Sequence, residues 1–322
     1  MRMARRVGKG CARGMEAREI VRSDPTDIGL GFAILAHRQL GHTERLIRAI
    51  SRPQDRIVVH LDTRVGAPAI ASFQTRLSDL PNVDVFSMVA CRWGGYSIVE
   101  ATLQALRRLL DHPFLYGSLL SGADYPVRSI DDFATYLHQN HPQEYVLVTH
   151  EGLPGETPDN LSNRFSCYWP YERLVSSRRK RLSSIRLQGA LGIDRKLPAG
   201  LLPTFGSQWF TLTRKAIETV VQGMLDPEIK RFFAWTAIPD EMEPHMLLRN
   251  SKYWGNRATD NLRYTATDEN GRFPKLLTRT DLPDILKSGA FFCRKIEHGE
   301  DAGLCDQLDD LRARSRGFEA AN

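Results

Sequence analysis

VDVFSMVACRWGGYSIVEATLQALRRLLDHPFLYGSLL, residues 83–120, carries the architecture in one segment. Its ends, Val83–Met88 and Phe114–Leu120, are short apolar runs rich in β-formers and read as strands. Between them Ser97–Asp111 sets Val99, Leu103, Leu106 and Leu110 at i, i+4, i+7 and i+11, one apolar stripe that a helix lays against a sheet. Strand, covering helix, strand is the unit of an α/β fold.

The same alternation extends outward from this segment. Gly31–Ala36 and Arg56–Leu61 precede it as strands, and Glu144–Val148 follows. A helix is predicted from Ser129, whose hydroxyl can cap exposed amides while Asp132 meets the positive dipole end, to about Asn140, before His141-Pro142. Further on, the pattern gives a strand at Gly206–Thr213, helices at Arg214–Met224, Pro227–Trp235 and Asp240–Asn250, and a last α/β unit at Asp281–Ile296. Residues 151–204 lose periodicity: Pro and Gly cluster at 152–158, and Arg178-Arg179-Lys180-Arg181 stands among serines. That run reads as a solvated charged loop or helix face, the sharper alternative being a patch for an anionic acceptor or a membrane surface.

The chain has 322 residues, 42% hydrophobic and 25% charged, enough to bury one large core or two smaller ones. Its formal charge of +6 is concentrated at the start, where residues 1–22 carry +5. No aromatics interleave those charges, so a disordered basic tail over residues 1–27 is expected and nucleic-acid binding is not; Met15 is an alternative start. No apolar stretch follows the tail, so neither a secretory signal nor an anchor is expected, and the expected location is cytoplasmic. Cys11, Cys91, Cys167, Cys293 and Cys305 are odd in number and lack CxxC or metal-ligand spacing, which reads as reduced structural thiols. Neither GxxxxGK[ST] nor GxGxxG is present, so a bound nucleotide would need side chains to meet its charge.

Seven segments, AILAHRQLGHTERLIRAI, IVVHLDTR, RWGGYSIVEATLQALRRLL, LLSGADYPVRS, GSQWFTLTRKAIETVV, IPDEMEPHMLLRNS and FFCRKIE, stand in one order along the chain. Together they resemble the core-2/I-branching N-acetylglucosaminyltransferase and peptide O-xylosyltransferase family, from about Phe32 to Glu297. The resemblance implies a GT-A type, Rossmann-like α/β/α sandwich with a mostly parallel sheet. It implies one domain over 28–300, with a nucleotide-sugar half at 28–150, an acceptor loop region at 151–204 and a catalytic half at 205–300. A C-terminal helix and tail would follow at 301–322. It further implies inverting transfer from UDP-N-acetylglucosamine or UDP-xylose to a hydroxyl of a glycan, lipid-linked sugar or peptide, with no metal or other cofactor, since the metal-binding DxD is absent. The family's secreted, disulfide-linked stem and anchor have no counterpart, so a Golgi role is not implied.

The resemblance also distributes roles. Asp62, at a predicted strand end where open α/β sheets bind ligands, would meet the uridine; alone it would read as a turn residue before Thr63 and Arg64. His37 holds a similar edge position and would line the nucleotide pocket, or be a satisfied structural histidine. Trp93 and Gly94 would wall the sugar pocket, or form a plain turn, and Asp124 would reach the donor sugar or cap the turn before Pro126. Gln208, Trp209 and Tyr264 complete the expected sugar pocket. An inverting transfer needs one base. The xylosyltransferase branch would place a carboxylate in GSxWF, where this chain has Gln208; the other branch uses the glutamate of PDE, here Glu241, otherwise an ordinary acid of a helix's first turn. The helix dipole would lower its proton affinity, so burial beside Trp209 or Trp235 would have to oppose it. Glu243, two residues on, would point elsewhere on a helix and form no pair with it. Arg294 and Lys295 would stabilise the departing diphosphate, joined by Arg279 or its rival Lys275. EMEPHM departs from the family after the glutamate, Pro244 must fit the helix's first turn or kink it, and a sugar-nucleotide-binding protein without transfer activity is the alternative reading.

Overall fold

A computed structural model describes residues 29–153, 155–171, 178–198, 200–268, 274–297 and 302–319. The basic tail lies outside these residues, as do the side chains of the 178–181 run.

The elements follow in chain order: β1 Gly31–Ala36, α1 Leu40–Ile50, β2 Arg56–Leu61, α2 Ala67–Arg76, β3 Val83–Phe86, α3 Ser97–Leu110, β4 Tyr116–Ser121, β5 Tyr125–Pro126, α4 Ile130–Gln139 and β6 Glu144–Glu151. After them come α5 Asp159–Ser166, α6 Arg178–Ala190, β7 Thr204–Thr213, α7 Arg214–Met224, α8 Pro227–Phe233, α9 Glu243–Arg249, β8 Arg257–Ala258, β9 Arg263–Thr265, α10 Leu282–Lys287, β10 Phe292–Arg294 and α11 Ala302–Glu319. Among the described residues no helix is long and apolar enough to cross a membrane.

β1 and β2 are buried along nearly their whole length, the pattern of parallel strands covered on both faces. Their side chains alternate between two cores. Phe32, Ile34, Ile57, Val59 and Leu61 join Leu46, Ile47, Phe73, Phe133 and Leu308 on one face. Ala33 and Val58 join Leu103, Leu106, Ile217, Phe233 and Met246 on the other. The result is the expected α/β/α sandwich.

The main sheet runs β3-β2-β1-β4-β7-β6-β8. Its first four strands are parallel, as are β6 and β8, and β7 is antiparallel to both its neighbours. From β1 the chain steps outward through β2 to β3, then returns over α3 to pair β4 on the opposite side of β1. Strand order therefore reverses between β1 and β4, where such sheets open a crevice at the carboxyl edge. A small sheet, β5-β10-β9, stands beside it.

Several element boundaries differ from those predicted. In α3 Leu109 is fully buried and Leu110 only partly, because Ala101, Ala105 and Leu109 widen the stripe. Phe114 lies outside β4, yet is buried against α3's core. The predicted helix over Asp240–Asn250 breaks into a 3-10 turn, Pro239–Glu241, followed by α9. Two prolines cause the break, since Pro239 and Pro244 have no N–H to donate and each opens a turn of its own; Pro244 fits α9's first turn. The cap at Ser129 forms, its Oγ accepting from the Asp132 amide at 3.0 Å. β3 ends at Phe86, not Met88, because the chain turns to meet His60: the Val89 amide donates to His60 Nε2 at 3.2 Å, with the Met88 amide at 3.4 Å.

Burial pushes the His60 imidazole down to about 4. Between that value and the ordinary 6.5 the unfolded chain binds the extra proton, so His60's contribution is present above pH 6.5 and lost as pH falls toward 4. Lowering pH from 7.5 to 5 should therefore destabilise the wild type by about 1–2 kcal/mol more than it destabilises His60→Asn, measured by urea unfolding. At constant pH, Leu106→Ala, in the centre of the α3 stripe, should cost about 2–5 kcal/mol in the same assay.

Candidate active site

Three parallel strands deliver their carboxyl ends to one edge: His37 follows β1, Asp62 follows β2 and Asp124 follows β4. Asp62 is buried and accepts from the Arg64 backbone amide (2.8 Å), Arg64 Nε (2.9 Å), Arg64 Nη2 (2.6 Å) and the Cys91 amide (3.0 Å). Burial opposes its ionisation, but these donors prevail and hold the carboxyl below its usual range. Asp62 is thus a turn cap that also fastens the loop after β3. His37 is exposed, and partial burial together with Arg38, Arg64 and Lys295 pushes its imidazole below the ordinary value. Those three cations therefore share its electrostatic neighbourhood.

The loop fastened at Cys91 leads to Trp93, which is 65% exposed, and to Gly94. Gly94 adopts φ +77°, which favours glycine, and a Cβ there would stand 2.9 Å from the Tyr171 ring, which would have to shift. Its carbonyl accepts from the Ile238 amide at 2.9 Å. The loop consequently spans from the Asp62 corner to the PDE turn.

Ile238, just ahead of that turn, has φ 51° and ψ 56°, left-handed backbone that a β-branched residue rarely adopts. Besides the bond to Gly94, its carbonyl accepts from Arg164 Nη2 at 2.8 Å and from the Glu241 amide at 3.3 Å. The same Arg164 Nη2 pairs with Glu241 Oε2 at 3.0 Å. Glu241 keeps 41% of its side chain exposed, Arg164 only 14%. The neighbours differ from this acid in kind. Asp240 is buried, and burial with the charge of Glu241 pushes it up to about 7. Glu243 has no exposed surface; burial raises it well above the carboxylate range, with Lys230, Glu100 and Tyr96 around it. Of the three acids in residues 240–243, Glu241 alone is accessible.

A second group lies where β10 meets the main sheet. The Arg294 guanidinium sits over the Trp209 ring, 4.5 Å from its centroid, with Nε 3.5 Å from Asp124 Oδ1. Asp124 Oδ2 is 3.5 Å from Arg263 Nε and accepts from the Ser121 amide at 3.1 Å. Asp124, expected at the donor sugar, has 0% exposure and is enclosed by these two arginines. Burial raises its carboxyl while Arg294 and Arg263 oppose that rise. Next in sequence, Lys295 Nζ pairs with Glu297 Oε1 at 2.7 Å, an oxygen that Arg38 also reaches at 2.7 Å.

Gln208 and Trp209 are half-buried on β7, opposite the irregular register between Val146 and Val148. The Asn261 side chain steadies this stretch by donating to Ser207 Oγ (3.2 Å) and the Trp209 carbonyl (3.1 Å). Tyr264 falls elsewhere. Alternation along β9 sends Arg263 toward Asp124, while Tyr264 has Asp284, Asp281 and Lys275 around it. Lys275 is engaged by Asp281 at 2.7 Å, and Arg279 is exposed at the turn beginning this last unit. Their segment adjoins the cationic rim through its backbone, the Leu277 amide donating to the Lys295 carbonyl at 2.9 Å.

No motif pointed to Arg164 or Arg263. Arg164 lies in the stretch without periodicity, and Arg263 on a three-residue strand too short to show any pattern. Among the described residues no group of three or more His, Cys, Asp or Glu side chains is placed to hold a metal ion, and Cys91, Cys167, Cys293 and Cys305 form no disulfide with one another.

Comparison with known proteins gives this arrangement its context. Xylosyltransferase 1 of Rattus norvegicus is 29% identical over 248 residues, 75% of this chain and 28% of the relative. Xylosyltransferase 2 of Canis lupus familiaris is 27% identical over 262 residues, 78% of this chain and 28% of the relative. The chain spans little more than a quarter of the length of these curated relatives. Among solved structures, S. aureus TarS 1–349 in complex with UDP aligns at 13% identity and TM-score 0.27, covering 52% of this chain and 50% of that one. HddC from Yersinia pseudotuberculosis aligns at 14% identity and TM-score 0.28, covering 59% and 79%. The sequence model described as Core-2/I-Branching enzyme matches residues 30–287, which include every segment quoted above except FFCRKIE. The chain belongs to the Core-2/I-Branching enzyme family.

Proposed function

We propose that the chain is an inverting, metal-independent glycosyltransferase that moves a sugar of the N-acetylglucosamine or xylose type from a UDP-sugar to an acceptor hydroxyl. The acceptor would be a glycan, a lipid-linked sugar or a peptide. The observation that carries the reading is the contrast within the PDE segment: Asp240 and Glu243 are buried, whereas Glu241 is accessible and held by Arg164. A base needs that access, and the oriented cation fixes where its oxygen points.

In the proposed step, Glu241 takes the proton of the acceptor hydroxyl as its oxygen bonds to the anomeric carbon. The bond from that carbon to the UDP oxygen breaks on the opposite face, and its electron pair leaves with UDP. Charge then grows on the diphosphate. Arg294, a guanidinium held over Trp209 with one shared carboxylate, and Lys295 on the rim would meet it as fixed cations. His37 and Asp62 would frame the nucleotide, and Trp93, Gly94, Gln208 and Trp209 the sugar pocket.

Glu241→Gln should keep its affinity for UDP and lose transfer by about 100-fold or more, read as UDP release in the presence of a chelator. Unchanged turnover would remove Glu241 from the base role, and binding of UDP with no turnover by the wild type on any UDP-sugar would favour the sugar-nucleotide-binding alternative. Lys295→Ala should weaken UDP by about tenfold and uridine much less, by calorimetric titration; equal weakening would make the lysine structural.

A further inference from the structure

We propose that Arg263 is a positioning residue: it holds the Asp124 carboxylate in place, and Asp124 in turn aims Arg294 at an incoming diphosphate. The inference rests on the diphosphate role of Arg294 proposed above.

Arg263 has no exposed side-chain surface. Its Nη1 donates to the Asn261 carbonyl at 2.9 Å, and its Nη2 to Leu119 at 2.7 Å and Phe210 at 3.5 Å. These carbonyls belong to β4, to β7 and to the turn before β9, so one guanidinium is fixed by three segments of backbone. What remains is Nε, and it lies 3.5 Å from Asp124 Oδ2. Asp124 Oδ1 lies 3.5 Å from Arg294 Nε on the other side. The carboxylate is thereby suspended between an anchored cation and one that the fold leaves under-satisfied. Both Nε atoms and Asp124 Oδ1 are buried without a hydrogen bond, so the two links are ion pairs; Arg263 is held by its Nη bonds to the three carbonyls, whereas Arg294 keeps 12% of its side chain exposed.

Charge balance separates this reading from a simple structural salt bridge. Arg263 and Asp124 would neutralise one another as a pair, and a buried pair of that kind gives little stability over apolar residues. Among the described residues, adding Arg294 leaves two guanidiniums to one carboxylate, a buried excess of one positive charge that an anion would relieve. The printed approach of Asp124 to Arg294 is at Nε, and no hydrogen bond joins the carboxylate to the forked Nη end, which suits phosphate oxygens. Without Arg263, burial would drive Asp124 toward its neutral form and Arg294 would lose the charge that orients it.

The test is titration of the full chain with UDP and with uridine, using Arg263→Gln, Arg263→Lys, Asp124→Asn, Arg294→Ala and the Arg263→Gln/Arg294→Ala double variant. Arg263→Gln should weaken UDP by about tenfold and uridine by less than about twofold. Arg263→Lys, which keeps the charge, should recover part of the loss. In the Arg294→Ala background Arg263→Gln should add nothing, since the two act in series. UDP affinity unchanged in folded Arg263→Gln, equal weakening of UDP and uridine, or additive losses in the double variant would each overturn the proposal. If Arg263→Gln fails to fold by circular dichroism, Asp124→Asn decides, because it cuts the same link and leaves Arg263 on its three carbonyls: selective loss of UDP supports the proposal and its absence overturns it. An Arg294→Ala variant that binds UDP as the wild type does would instead sink the diphosphate role on which the inference rests.

Discussion

Parallel pairing of β1 with both β2 and β4 is the constraint on which the rest of the molecule depends. Parallel strands need crossovers, the crossovers cover both faces, and covered strands must be apolar on both sides. The pairing also brings three strand ends to one edge, so His37, Asp62 and the turn carrying Asp124 are neighbours in space although they are far apart in sequence. The loop after β3 extends that edge as far as the PDE turn by two bonds, Cys91 to Asp62 and Ile238 to Gly94. The candidate site is therefore a property of strand order before it is a property of any side chain.

That dependence explains what could be read from residues alone. β1 and β2 have the predicted limits because strands buried on both faces are short, mostly apolar runs. α3 was legible from its stripe, although Leu109 and not Leu110 takes the deepest place, since a two-sided view of burial needs the neighbouring helix. The antiparallel direction of β7 left no trace, because an apolar strand looks the same in either direction. The split of the PDE helix was signalled by Pro239 and Pro244, but periodicity favoured one long helix.

The site shows the same division. Residues at strand ends could be nominated, whereas residues that support them could not. Asp124 was visible as part of a turn, but its enclosure by Arg263 and Arg294 depends on β9 and β10 packing against the main sheet, a contact across 139 and 170 residues that no local pattern encodes. Arg164 is a similar case: it reaches the PDE turn from a segment whose sequence has no period. Tyr264 shows the converse, for one step along a strand reverses the face on which a side chain lies, and Arg263 took the inner one.

Ile238 carries a consequence for anyone who would engineer this protein. A left-handed backbone costs an L-residue about 1–2 kcal/mol, and here the cost is met by hydrogen bonds to Gly94, Arg164 and Glu241. Glycine would adopt the same torsions without strain, yet it would also widen the range of shapes open to the turn. Relief of backbone strain and the definition of the Glu241 carboxylate are thus set against each other at one residue.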